Sequence, residues 1–153
     1  MAALSDYMES GLLHYVFKGQ AFPQPASICI ALTSGVPLDS HTGETIPELP
    51  TGVDGSTNYN RVELGNPISD GNTKWSYRTE DHEAGSGMIR NSGQIIFSTA
   101  LTDWGWVSGI AITDNPTVGE GNLLMHAQLT NPRIIYTGDN VKFDVETLEI
   151  SFK

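Results

Sequence analysis

Apolar residues recur with a helical period only near the start of the chain. In LSDYMESGLLHYVFKG they return every three to four residues, which places them on one face of an α-helix. Ser5 or Asp6 is a suitable N-cap, and Gly19 is suited to end the helix. We therefore predict a helix over about residues 5–18, with its apolar stripe buried against the rest of the chain or a partner. The stripe consists of Leu4, Met8, Leu12, Leu13, Val16 and Phe17.

The remainder of the chain is patterned as short strands separated by turn residues. ASICIALTS, residues 26–34, is a continuous apolar run rich in β-branched residues. Towards the C-terminus the runs QIIFST, WVSGIAITD, NLLMHAQLT, RIIY, NVKFDV and TLEISF follow at regular spacing. This pattern predicts a mainly β protein with a single antiparallel β-sandwich-like domain over residues 1–153, a short N-terminal amphipathic helix and long loops. The expected β core covers about residues 26–34 and 60–153.

Two loop-rich segments interrupt this pattern. The first, about residues 35–58, is rich in proline and glycine and longer than an ordinary connection. We expect a neighbouring subunit, rather than the chain's own core, to order this loop. Its apolar residues Leu38, Ile46 and Leu49 are then candidate interface residues. The second segment follows residue 64, with a possible hairpin through Trp75 and Tyr77, which are also candidate interface residues.

The net charge of the chain limits the classes of partner that it can bind. Eighteen acidic residues against eight basic residues give a formal net charge of −10. Binding to a nucleic-acid backbone or to an anionic membrane needs clustered Lys and Arg, so neither partner is expected. The single cysteine, Cys29, lies in an apolar run and is expected to be a small buried residue. The N-terminus has no secretory signal pattern, so synthesis in a host cytoplasm is expected.

The candidate chemistry is sparse. The four histidines are scattered, and DHE at 81–83 indicates a solvated loop more than a metal site. GSG and GEGN are not followed by a helix that would make a phosphate site. Asp103, Asp114 and Glu120 permit two-carboxylate glycosidase chemistry only if their separation suits it. We therefore predict no catalytic residues, no cofactor, no metal and no enzymatic activity.

DWGWV places two tryptophans around one glycine. Trp104 and Trp106 are two residues apart, so an extended backbone would direct them to the same face of a sheet. Trp104 is expected in the core. Trp106 is the stronger candidate for an exposed interface anchor, because tryptophan is enriched at interface hot spots.

Several ordered motifs carry a resemblance. The C-terminal half contains DWGWV, GIAITD, GNLL, LTNP, GDNVKF and LEISF, and the N-terminal half contains ASICIALTSGVP and YNRV. In this order they resemble a family of small virion proteins of tailed bacteriophages, whose members are described as tail fibre or capsid decoration proteins. The loop near residues 42–58 and the segment 73–86 look longer than the usual connections of that family.

The resemblance implies a non-enzymatic virion structural protein. The favoured interpretation is a capsid cement or decoration protein on the head surface, with the major capsid protein or copies of itself as partners. The alternative is a tail, baseplate or tail-fibre component that contacts other tail proteins or the host receptor. A carbohydrate-binding module, with Trp75, Trp104 and Trp106 as stacking platforms, is a further alternative.

Overall fold

The computed structural model describes residues 2–69, 73–76 and 87–151 and is mainly β, with antiparallel sheets and one N-terminal helix. A short 3-10 turn covers Val53–Gly55. The elements are β1 (Ala2–Leu4), α1 (Asp6–Lys18), β2 (Cys29–Thr33), β3 (Val62–Glu63), β4 (Trp75–Ser76), β5 (Met88–Asn91), β6 (Ile95–Ile96), β7 (Gly105–Thr113), β8 (Leu123–Ile135), β9 (Lys142–Phe143) and β10 (Glu149–Ser151).

Within the residues that the structure describes, three antiparallel sheets enclose the core. The largest has the strand order β1-β8-β7-β2-β3, and the smaller ones are β10-β5-β4 and β6-β9. Alternate apolar residues of β2, β7 and β8 point to one side of the large sheet, as the period of a strand requires. They meet apolar residues of the smaller sheets in one continuous cluster, which includes Ile30, Leu32, Ile110, Ile112, Leu124, Ile95, Phe97 and Ile150.

Strand β2 is buried on both faces, which explains its unbroken apolar sequence. One face contributes Ile30 and Leu32 to the main core. The other face places Ala31 in a second buried cluster with Ala111, Leu123 and Ile46. Because Ile46 belongs to the long loop, that loop covers the second face of the central sheet.

Helix α1 begins and ends at residues that the sequence identifies. Ser5 is the N-cap, and its hydroxyl accepts a hydrogen bond from the Met8 amide at 3.3 Å and donates one to the Leu123 carbonyl. Gly19 ends the helix in the left-handed region, with φ of 63°. The predicted helix, at about residues 5–18, therefore agrees with the structure.

The chain itself does not bury the α1 stripe, so of the two predicted alternatives only burial against a partner stays a prediction. No residue of the helix is fully buried, and of the stripe only Met8 packs against the main core from within the helix. The helix rests on the sheet through its first turns, so the apolar residues of its last two turns remain exposed. Phe22 lies against Gly11, where a Cβ atom would come within 2.1 Å of the ring.

The expectation that a neighbouring subunit orders the loop at 35–58 is also wrong. The loop extends the hydrogen bonding of β2: Ser34 donates to the Pro47 carbonyl at 2.8 Å, and Leu49 donates to the Leu32 carbonyl at 3.2 Å. Thr33 and Glu48 form an isolated antiparallel bridge. The chain therefore supplies the backbone partners that order this loop.

Arg61 fastens the same loop through a buried side chain. Its guanidinium donates to both carboxylate oxygens of Glu48, the closest at 2.7 Å, and to the Gly43 carbonyl at 2.8 Å. The same group donates to the carbonyls of Asn115 and Glu120, each at 2.8 Å. One buried cation thus links the loop to the turn between β7 and β8.

Candidate interaction surfaces

The carboxylates considered for catalysis have structural contacts. Asp103 accepts hydrogen bonds from the Thr137 amide and hydroxyl at 2.8 and 2.9 Å, and these bonds lower the pKa of its carboxyl. Asp114 accepts from the backbone and side-chain amides of Asn122 at 2.6 and 2.8 Å, which closes the β7–β8 turn. The Glu120 carboxylate lies 3.4 Å from the Asn115 side-chain amide.

Metal-binding and thiol chemistry have no built site in the described part of the chain. Within residues 2–69, 73–76 and 87–151, no group of three His, Cys, Asp or Glu residues could hold a metal ion. The DHE stretch at 81–83 lies outside these residues. Cys29 is buried, and desolvation raises the pKa of its thiol, so its predicted place in the core is confirmed. In the same described residues, no helix has the length and apolar character needed to cross a membrane.

Trp104 belongs to the core, as predicted. It is 4% exposed, and its indole N–H donates to the Thr57 carbonyl at 2.7 Å. Its ring packs edge-on against Tyr59, with centroids 5.3 Å apart and an interplanar angle of 82°. A stacking platform that includes Trp104 is therefore excluded.

Trp106 points away from Trp104, so the expectation that both share one face is wrong. The reason is Gly105, whose φ of 83° reverses the side-chain alternation at the start of β7. Trp106 is 50% exposed and pairs across the sheet with Ile134, which is also exposed. The two side chains form an exposed apolar pair, and the interface role of Trp106 remains a proposal.

The other candidate interface residues are divided by burial. Leu38 is exposed and stays available to a partner. Ile46 and Leu49 are buried within the chain, so their proposal as surface contacts is wrong: the loop turns them towards the sheet. Trp75 is half-buried and packs against the main core. Tyr77 lies outside the described residues.

Sequence reasoning missed that the last two turns of α1 form an exposed apolar surface. Leu12, Leu13, Tyr15, Val16 and Phe17 are all exposed. We call this set the α1 apolar surface. The sequence contains a sign of this exposed surface. In LLHYVF, apolar side chains surround most of the helix, so one buried face cannot accommodate them all.

Comparison with known proteins identifies the class of the chain. The family model described as "Podophage GP4 fiber I protein gp80" matches residues 3–151. No curated protein matches the chain. The match is to a family of structural, non-enzymatic phage fibre proteins. It supports the tail-fibre alternative and gives no support to the capsid-cement interpretation or to a capsid-surface location.

Proposed function

Because the chain belongs to the podophage GP4 fiber I protein family, we propose that it is a tail-fibre subunit that joins another copy of itself through the α1 apolar surface. The observation that carries this proposal is the exposure of that surface. Contiguous apolar patches on soluble proteins mark interaction sites. Val16 and Phe17 are 66% and 79% exposed.

The charge distribution favours a second copy as the occupant. Two chains of net charge −10 repel each other unless their contact avoids carboxylates. The acidic residues of α1, Asp6 and Glu9, lie in its first turn, and Lys18 lies in its last. The segment 12–18 contains no acidic residue, so it is a surface where two acidic copies can meet.

Burial of apolar side chains would be the main stabilising contribution to this contact. Full burial of a large apolar side chain contributes about 1.5–3 kcal/mol, and several such side chains are involved on each copy. A symmetric pair of helices would bury the set twice, as an isologous contact does. Trp106 and Leu38 are further exposed residues that a neighbouring fibre subunit can contact.

Light scattering of the purified protein tests the self-contact. We expect an oligomer for the unmodified chain and a monomer for the V16S/F17S variant. The matched control is V53S/I68S, since Val53 and Ile68 are 81% and 71% exposed but lie outside α1. A monomer at every concentration for the unmodified chain, or equal dissociation of the control, would contradict the proposal.

Labelling of intact particles tests the location. A gold-labelled antibody against the chain should decorate the tail, and particles that lack the chain should keep normal heads. Label distributed over the head surface would contradict a tail location and favour the capsid-cement interpretation.

A further inference from the structure

A cleft of about 500 Å³ opens between the second half of β8 and β9. Apolar residues, including the partly buried Leu129, Val141 and Phe143, belong to its lining. Asn131, Arg133 and Lys142 contribute polar groups to the same lining. An apolar lining with a few convergent polar groups is the usual composition of a small-molecule site, and the volume lies within the usual range of about 300–1,000 Å³.

An irregularity in β8 builds one wall of this cleft. Val107 pairs with Arg133 and Gly109 pairs with Gln128, so residues 129–132 of β8 face only Ser108 on β7. Such bulges redirect side chains and are common beside functional sites. Pro132 suits this place, because it has no N–H to donate to a regular ladder.

The charge of the cleft is opposite to that of the molecule. Arg133 and Lys142 both line it, and none of the Asp and Glu residues in the described ranges does so, in a chain with 18 acidic and 8 basic residues. Arg133 is exposed and forms no ion pair with any residue in the described ranges. Lys142 lies 3.5 Å from Asp144 at an exposed position, a weak pair that a ligand can replace.

Two other arginines differ from Arg133 because carboxylates of the chain pair with them. Arg61 and Arg90 are both held by carboxylates, at 2.7 Å from Glu48 and 2.6 Å from Glu149. Their charge is neutralised inside the chain, whereas the charge of Arg133 is available to an external anion. Planar guanidinium groups bind carboxylates and phosphates through paired hydrogen bonds.

We propose that this cleft binds a small acidic saccharide, meaning a sugar unit that carries a carboxylate or a phosphate. Its acid group pairs with Arg133 and Lys142, and its hydroxyl groups bond to Asn131 and Asn140. The Asn140 amide already donates to the Phe97 carbonyl at 2.6 Å, which leaves its side-chain oxygen as an acceptor. The apolar lining receives the C–H face of the sugar ring.

The ligand class follows from size and charge together. A bare inorganic anion would leave most of the cleft volume unfilled and would not cover the exposed part of its apolar lining. A long polyanion would be repelled by the rest of a chain with net charge −10. A short acidic sugar satisfies the local charge, the amide groups and the apolar lining.

Calorimetry and amide chemical-shift titration test the proposal with four probes: glucuronic acid, glucose 6-phosphate, glucose and inorganic phosphate. The two acidic sugars should shift amides of residues 128–143, and their relative affinities identify the preferred acid group. Neutral glucose should bind at least about tenfold more weakly, a factor expected for the loss of one charged contact. The R133Q/K142Q variant should lose at least about tenfold in affinity for the acidic sugars.

The matched control is R90Q/K74Q, which removes the same two residue types outside the cleft and should bind like the unmodified chain. Unchanged far-ultraviolet spectra establish that the variants fold. The proposal is overturned if neither acidic sugar shifts these amides, if glucose binds equally well, if inorganic phosphate competes as strongly as the sugars, or if the control loses as much affinity as R133Q/K142Q. None of these results depends on the α1 contact.

Discussion

The loop at 35–58 and the last two turns of α1 differ in whether the chain's own residues cover them. The loop has the composition of a segment that needs a partner, yet it finds its partners in β2 and Arg61. The helix has the composition of a buried element, yet its apolar surface has little to contact within the chain. Burial is therefore decided by the distance of a segment from a sheet face and not by the number of apolar residues that it contains.

Polar anchoring explains the order of the loop. A buried guanidinium is tolerable only when its donors are satisfied, and the loop supplies acceptors at Gly43 and Glu48. Only a few apolar residues then need to be buried beneath it. In the described part of the chain, no residue makes a comparable polar contact with the α1 surface, so apolar contact is the main interaction that this surface offers.

Removing the Arg61 side chain, which holds the loop at 35–58, should lower the free energy of unfolding more than any other change considered below. Arg61→Leu leaves the Glu48 carboxylate buried without its cation, which should lower the free energy of unfolding by about 3–5 kcal/mol. Denaturant titration measures this loss, and limited proteolysis should now cut within residues 35–58. Arg90→Leu is the control, because its pair with Glu149 is more exposed and should contribute less than about 1 kcal/mol. Equal losses in the two variants would contradict the anchoring role.

The next effect concerns the close approach of the loop to the β7–β8 turn. A Cβ atom on Gly43 would lie 2.1 Å from the Glu120 carbonyl oxygen, so Gly43→Ala must displace backbone. We expect a loss of about 1–3 kcal/mol in the free energy of unfolding, as overpacking usually costs. Gly93→Ala is the control, since nothing lies within 4 Å of its Cβ position. Thermal melts compare the two, and a neutral Gly43→Ala would mean that the contact is loose.

Tyr59 connects the loop anchor to the core and adds a pH dependence. Its hydroxyl accepts from the Leu32 amide and donates to Glu48, each at 2.9 Å, and burial followed by the Glu48 charge raises its pKa well above 10.0. A raised pKa means that the folded state favours the neutral phenol. This contribution is fully present below pH 10.0 and is lost as the pH rises above it towards the folded value.

Tyr59→Phe should therefore cost about 1–2 kcal/mol at neutral pH, the usual cost of a lost buried hydrogen bond. Its unfolding free energy should also decline less steeply above pH 10.0 than that of the unmodified chain. Chemical denaturation from pH 8 to 11 measures both, with Tyr136→Phe at an exposed position as the control. Parallel alkaline declines in all three proteins would be inconsistent with a buried neutral Tyr59.

The smallest expected effect on folding comes from the α1 surface. Phe17 is 79% exposed, so Phe17→Ser should change the free energy of unfolding of the monomer by no more than about 0.5 kcal/mol. Monomer stability is measured at a concentration where V16S/F17S and the unmodified chain are both monomeric. A loss of several kcal/mol there would show that the helix packs on its own chain after all.

Sequence patterns predicted local features well and contacts poorly. Ser5 and Gly19 as helix ends, a strand within residues 26–34 and the buried Trp104 follow from capping, apolar pattern and residue size, and the structure agrees, with the strand at Cys29–Thr33. The sequence assigns Trp104 to the core and Trp106 to an exposed interface. The direction of the Trp106 side chain, however, depends on the positive φ of Gly105. Glycine permits that conformation without requiring it, so the sequence alone did not reveal the reversal.

The candidate site at β8 illustrates the same limit. LTNPR contains a proline that disfavours a regular ladder, which is a sequence signal for irregularity. That residues 129–132 face only Ser108, and that Arg133 and Lys142 both line one cleft, depends on strand register. Register joins residues that are distant along the chain, and no local pattern encodes it fully.

The mainly β class, the helix at the N-terminus, the acidic charge and the resemblance to virion proteins can all be read from the sequence, because each depends on composition or on neighbours along the chain. Which apolar residues are covered depends on the packing of segments that are distant in sequence. Ile46 is buried because the loop returns over β2, and Phe17 is exposed because α1 leaves the sheet after its first turns. Burial is a property of a surface assembled from several segments, and its location is set by their packing geometry.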